Sequence, residues 1–285
     1  MNRTPAILLL GLVVAVSGCA STESPELQEI QVDAAEIDIN QTGPELLNSS
    51  IEKISQVESH DTTSTNQMAL DASVFSLSIN MTTEAASNYT SKSVKAFTDG
   101  SVTAGASYIG KNTTSFRAES YTSGNTSYVK RANQTESSGE WTQYSSGFDK
   151  HPAVLKPGLF ENAEAEFLGV DKVEGNDTYV LSLEDNINST GQHFSQVLMN
   201  YGPELSSRSE ESEGVDEDNV ERSQAYLWID QETLKPVKFS YFISVKVESD
   251  GEGLFSADGS MQIKSQNTYT GYGQVQEIEV PEKAR

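Results

Sequence analysis

Ala225-Tyr-Leu-Trp-Ile-Asp-Gln-Glu-Thr-Leu-Lys-Pro-Val-Lys-Phe-Ser-Tyr-Phe-Ile-Ser-Val-Lys-Val247 decides the fold. Its second half puts Val237, Phe239, Tyr241, Ile243, Val245 and Val247 on one side, and Lys238, Ser240, Ser244 and Lys246 on the other. That period of two predicts a strand with one buried and one wet face. Leu227 to Asp230 predicts a shorter strand, and the polar Asp230-Gln-Glu-Thr-Leu-Lys-Pro236 joins the two as an antiparallel hairpin. A strand with a whole apolar face must be covered, and the flanking chain is read for what covers it.

Upstream, Ser189 to Leu205 predicts an amphipathic helix with Phe194, Val197, Leu198, Tyr201 and Leu205 on one stripe. Between that helix and the hairpin, Glu210 to Glu221 carries seven acids in twelve residues. It lacks the turn glycine and the bidentate Glu of a calcium loop at the needed offsets, so it reads as a solvated excursion. Strands are expected at Glu166 to Val173 and Asp177 to Glu184, turned by Gly175-Asn-Asp177. His151 to Ala163 is apolar, holds two prolines and has no period. It predicts a loop folding inward over the sheet through Val154, Leu155, Leu159 and Phe160.

Further back, Met68 to Met81 and more polar runs at Thr90 to Phe97, Ser101 to Ile109, Thr113 to Ser120, Thr126 to Arg131 and Glu140 to Ser145 predict an antiparallel meander. Turns are expected at Asp99-Gly100, Gly110-Lys-Asn112, Ser123-Gly124-Asn125 and Ser138-Gly139. A first amphipathic helix starts at Pro44 with Leu47, Ile51, Ile54 and Glu58 in line, and His60 to Asn66 is read as the break after it. Downstream of the hairpin, Leu254 to Ile263 and Gln274 to Val280 are the expected closing strands.

The chain has 285 residues, 42 acidic against 19 basic, and a formal charge of -23. Such a surface repels nucleic acid phosphate. Self-repulsion of this size is relieved where molar salt shortens the Debye length to about 3 Å, which points to a halophile. Residues 1–18 read as an export signal, with Arg3 in its basic region, Ala6 to Val16 as its apolar segment and Val16-Ser17-Gly18-Cys19 as its processing site. The apolar segment is too short to cross about 30 Å of hydrocarbon. Val16 to Cys19 resembles the lipobox of secreted lipoproteins, which implies lipidation of Cys19, the only cysteine. Residues 19–43 then form a lipidated flexible tether, and residues 44–285 one domain facing the extracellular side of the cell membrane.

Catalytic and metal chemistry find little support. His60, His151 and His193 stand in no ligand spacing, Gly105 to Gly110 misses a nucleophile-elbow pattern by one residue, and Gly271-Tyr-Gly273 lacks the third glycine of a dinucleotide loop. The reading is a non-enzyme without cofactor or metal. Asn-x-Ser/Thr occurs at Asn40, Asn48, Asn80, Asn88, Asn112, Asn125, Asn133, Asn176 and Asn188. Composition alone accounts for about three or four such sites, so several are expected to carry glycan in an exported chain.

The order of pieces carries a resemblance: helix, polar meander, apolar Pro-rich loop, Tyr179-Val-Leu-Ser-Leu183, helix, Leu227-Trp-Ile-Asp to Lys238, and Tyr269-Thr-Gly-Tyr-Gly-Gln-Val to Pro281. It resembles the LolA/LppX/LprG-like lipoprotein superfamily, in particular haloarchaeal lipoproteins of that type. The resemblance implies an α+β fold, a curved antiparallel β half-barrel with amphipathic helices packed on its concave face. It also implies an apolar ligand, most simply a lipid, between sheet and helices. The lining would come from Phe75, Leu77, Ile79, Leu155, Phe160, Tyr179, Leu181, Phe194, Leu198, Phe239, Tyr241 and Ile243. The Ser/Thr/Gly-rich middle strands support an alternative, an envelope interaction or sensor module with a self-filled core and a protein partner.

Overall fold

The computed structural model describes residues 32, 41–106, 110–133, 139–184, 219–247 and 259–284. Among the described residues one α-helix, α1 (Gly43–Ser55), precedes eleven strands. These are β1 (Ser59–Ala72), β2 (Phe75–Asn88), β3 (Ser93–Ala106), β4 (Gly110–Ser123), β5 (Thr126–Asn133), β6 (Trp141–Tyr144), β7 (Glu164–Val173), β8 (Asn176–Glu184), β9 (Val220–Asp230), β10 (Pro236–Val247) and β11 (Gly259–Thr270). They form one antiparallel sheet in the order β6-β5-β4-β3-β2-β1-β11-β10-β9-β8-β7. A sheet this wide curls rather than staying flat. It remains an open half-barrel, with β6 and β7 as its edges. The segment 145–163 runs from one edge strand to the other and crosses the concave side on the way.

The Ala225 hairpin forms, but its first strand is longer than the expected Leu227 to Asp230, since β9 starts at Val220. Asp230 Oδ1 accepts the backbone N–H groups of Glu232 (3.2 Å) and Thr233 (2.8 Å), and the Leu234 N–H closes on the Asp230 carbonyl at 3.0 Å. These bonds define the tight connection, so Asp230 is a turn-building residue. Trp228 is pinned on the convex face, its Nε1 donating to Asp171 Oδ2 at 2.9 Å under the Lys238 ammonium, 4.3 Å from the ring. Helix α1 begins where Pro44 tolerates a missing N–H and where the Glu45 carboxylate accepts the Thr42 N–H at 2.7 Å. Leu46, Leu47, Ser50 and Ile54 form its buried side, which packs on β7 and the 3-10 turn Pro157–Leu159.

Several expectations are corrected. β10 has no wet face in its middle: Ser240, Phe242 and Ser244 are buried, as Phe239, Tyr241 and Ile243 are on the other side. His60 to Asn66 lies at the start of β1 rather than in a break, because its polar side chains find buried partners on the crossing segment and across the sheet. Met68 to Met81 is two strands joined at Ser73-Val74. Asp99-Gly100 lies inside β3, where the Phe116 ring covers Gly100 so closely that a Cβ there would fall 2.4 Å from it. Gln274 to Val280 forms no strand. It runs as a strap, tied by Asn88 Nδ2 to the Val275 carbonyl at 3.1 Å and packed through Val280 on Tyr121. Of the two helices expected on the concave face, Ser189–Leu205 lies outside the described residues.

Candidate functional site

The concave face divides into two halves. On β8 to β11 it is apolar, and Leu181, Leu227, Ile229, Phe239, Tyr241, Ile243 and Ile263 are each no more than 1% exposed. Leu155 and Phe160 from the edge-to-edge segment and Leu46, Leu47 and Ile54 from α1 join the same cluster. Phe160 stands edge-on to Phe239 with ring centroids 5.2 Å apart. Burying seven large side chains here stabilises the sheet by about 1.5–3 kcal/mol each, before the conformational entropy cost is counted.

From β11 through β5 the same face mixes small polar side chains with the buried Met68, Ile79, Met81 and Val129. Ser64 donates to Asn267 Oδ1 at 2.5 Å, Ser265 to Asn66 Oδ1 at 2.7 Å, and Thr83 and Thr98 share a bond of 2.9 Å. Each of these pairs is directly cross-strand in register, and Thr122 with Ser127 adds another at 2.7 Å. Satisfied in this way, buried hydroxyls and amides cost little. The Ser120 hydroxyl, buried on this face, has no partner among the described residues. On the convex side, a depression between Gln224, Tyr226, Ser240, Phe242 and Lys264 offers about 10 Å³, room for one water.

Of the pocket candidates, Ile79, Leu155, Phe160, Leu181, Phe239, Tyr241 and Ile243 come together in the buried cluster, with Leu77 and Tyr179 half-buried against it. Phe75, at the hairpin end of β2, is not part of it. Phe194 and Leu198 lie outside the described residues, as does Cys19. Burial holds the Tyr241 hydroxyl above its ordinary range, so it stays protonated on this face.

Sequence reasoning missed the end of the concave face near the start of β1. His60, 0% exposed, sits among Tyr89, Tyr269 and Tyr272, with ring centroids 5.6, 5.7 and 6.0 Å away. A polar run after a helix gave no sign that its first residue would be enclosed. The Tyr269-Thr-Gly-Tyr272 motif did mark the place, since both tyrosines belong to it.

Among the sequons, Asn48, Asn80, Asn125 and Asn176 are exposed, whereas Asn88 and Asn112 are half-buried. Asn88 is engaged on both sides, donating to Val275 and accepting the Ser91 N–H at 2.9 Å. Asn40, Asn188 and the side chain of Asn133 lie outside the described residues. No described group of three or more His, Cys, Asp or Glu is placed to hold a metal ion, and no described helix is long and apolar enough to cross a membrane.

No protein-family model matches the chain, and no curated protein matches it. It is similar to the solved structure of lipoprotein LppX of Mycobacterium tuberculosis, at 13% identity and a TM-score of 0.38, over 83% of this chain and 99% of that one. A LolA superfamily protein of Nitrosomonas europaea is similar at 12% identity and a TM-score of 0.24, over 85% and 96% of the two chains. A DUF1329 family protein of Desulfovibrio piger gives 12% and 0.24, over 84% and 96%. The curved antiparallel half-barrel expected from the order of elements is observed as one open eleven-stranded sheet, with α1 as the one of the two expected helices that lies among the described residues.

Proposed function

We propose that this chain is an extracytoplasmic lipoprotein of a halophile, anchored through Cys19, that takes an apolar ligand, most simply a lipid, against the concave face of β8 to β11. One observation carries the reading. The widest apolar surface of the sheet is covered, among the described residues, by one thirteen-residue helix and an irregular segment rather than by a second sheet. A cover of loop and helix is displaced at far lower cost than a sheet. Phe160 and Leu155 are the side chains that leave when the segment lifts, and Phe239, Ile243 and Leu181 are the surface an acyl chain meets.

The polar half of the face favours a second reading, a self-filled envelope module that meets a protein partner. Asn66, Ser64, Ser265 and Asn267 satisfy one another and leave no demand for a ligand there. The lipid content of the purified protein decides between the two. A lipid retained in near-stoichiometric amount supports the first, and none retained by a folded sample supports the second. The anchor has its own test. Cys19→Ser is expected to move the protein from the membrane fraction to the soluble fraction, and unchanged membrane retention contradicts lipidation at that residue.

A further inference from the structure

The segment that links the two sheet edges is held at one point by a cluster of buried polar side chains. The Ala153 carbonyl accepts three hydrogen bonds, from His60 Nε2 at 3.0 Å, Thr62 Oγ1 at 3.2 Å and Ser87 Oγ at 3.4 Å. A carbonyl only accepts, so Nε2 carries the imidazole proton and Nδ1 is bare. Nδ1 has no hydrogen-bond partner among the described residues, and the residue is fully buried. The tyrosines around the ring extend the tie: the Tyr89 hydroxyl donates to the Leu155 carbonyl at 2.5 Å, and that of Tyr272 to the Pro236 carbonyl. One cluster thereby fastens the segment, the end of β2, the end of β11 and the β9–β10 hairpin.

A second proton on His60 meets no acceptor among the described residues, and burial holds the group down at about 4 against an ordinary value near 6.5. The titratable groups around it are few. Tyr89, Tyr269 and Tyr272 are pushed above their ordinary values by burial and stay neutral in acid. His151 accepts the Ala153 N–H on its Nδ1 at 3.2 Å. Asp61, next to His60 in β1, points to the opposite face with its carboxyl raised by desolvation, and Glu58 is exposed.

We propose that His60 is an acid-operated latch: a second proton, at Nδ1, puts a charge without a counter-group into the closed cage, and although Nε2 keeps its proton, lifting the 148–160 segment brings the charged ring to water, so acid frees the segment from the end of the sheet while the sheet itself stays intact. Once the segment lifts, the ring reaches water and binds a proton at its ordinary value. The closed state is therefore fully favoured above pH 6.5 and loses ground as the pH falls to about 4, below which the effect levels off. The proposal concerns the segment and holds for either reading of the interior.

Hydrogen exchange of the full chain at high salt, from pH 7.5 to 4 and corrected for intrinsic rates, tests it. Residues 148–160 are expected to lose protection on the order of 100-fold, the factor set by that displacement of the histidine, while residues 236–247 keep theirs. His60→Gln retains a donor near the Nε2 position and cannot titrate, so its segment stays protected throughout. Should that variant not fold, the wild-type His60 ring is followed by NMR, and its titration must coincide with release of the segment. Unchanged protection down to pH 4, an equal loss in His60→Gln, or simultaneous loss in segment and sheet overturns the latch.

Discussion

Replacing Phe239 by Ala lowers the free energy of unfolding by about 3–5 kcal/mol. The side chain is fully buried in β10, directly opposite Leu227 on one neighbour and Asn267 on the other. Its ring meets Phe160 edge-on at 5.2 Å and Tyr241 at 5.7 Å. Removing it leaves a cavity at the place where the crossing segment plugs into the core, and a paired antiparallel ladder on both sides prevents the backbone from collapsing into it. Urea unfolding at fixed high salt reads the change as a lower midpoint with an unchanged slope. Phe97→Ala is the matched control: with Phe97 46% exposed on the convex side of β3, the change stays within about 0.5 kcal/mol. Equal losses in both would mean that the apolar half of the concave face is not the core.

A second large effect is expected at Gly43, the first residue of α1. A Cβ there would lie 2.5 Å from the Ala165 carbonyl oxygen and 2.9 Å from the Phe167 nitrogen, both backbone atoms of β7. Those atoms are fixed by the β7–β8 ladder, so the helix rather than the strand must move. Gly43→Val thus lifts the start of α1 and strains the packing of Leu46 and Leu47, costing about 1–3 kcal/mol. Urea unfolding measures that cost, and hydrogen exchange shows where it falls: α1 amides lose protection first, ahead of β8 to β10. A variant with wild-type stability and a protected helix would contradict the close approach of helix and edge strand.

The parts of the fold legible in the sequence are those whose burial is decided locally. The β9–β10 hairpin, the Gly124 and Gly175 turns and helix α1 each carry their own period, turn residue or cap, and each stands where it was expected. What was illegible depends on distant partners. Ser64 and Asn66 belong to a buried strand only because Asn267 and Ser265 face them from the far end of the chain. Gly100 reads as a turn until Phe116 is seen lying over it. Ser240 and Ser244 read as part of a wet face until both sides of β10 prove to be covered.

The candidate site shows the same division. The apolar lining of β8 and β10 was legible as period two, and the inward fold of His151 to Ala163 as an apolar loop with two prolines. The clamp on Ala153 was not, because a hydroxyl or an imidazole in a polar run looks solvated until a carbonyl 91 or 93 residues away is placed against it. The Trp228-Ile-Asp230 motif, quoted for its resemblance, is structural in this chain: Asp230 builds the turn and Trp228 anchors to Asp171. The exposed ion pairs Arg117–Asp99 and Lys172–Asp177 are worth little each.

The most direct test of the account is the lipid content of the protein itself. The domain, residues 44–285, is produced with an export signal in a halophilic host, purified at high salt without detergent, extracted with organic solvent and examined by mass spectrometry. The account predicts a single lipid class in near-stoichiometric amount, reduced when Leu155→Asp places a charge where the crossing segment meets the apolar face. A folded sample that yields no lipid above background contradicts it, and makes the interior of this half-barrel a core and nothing more.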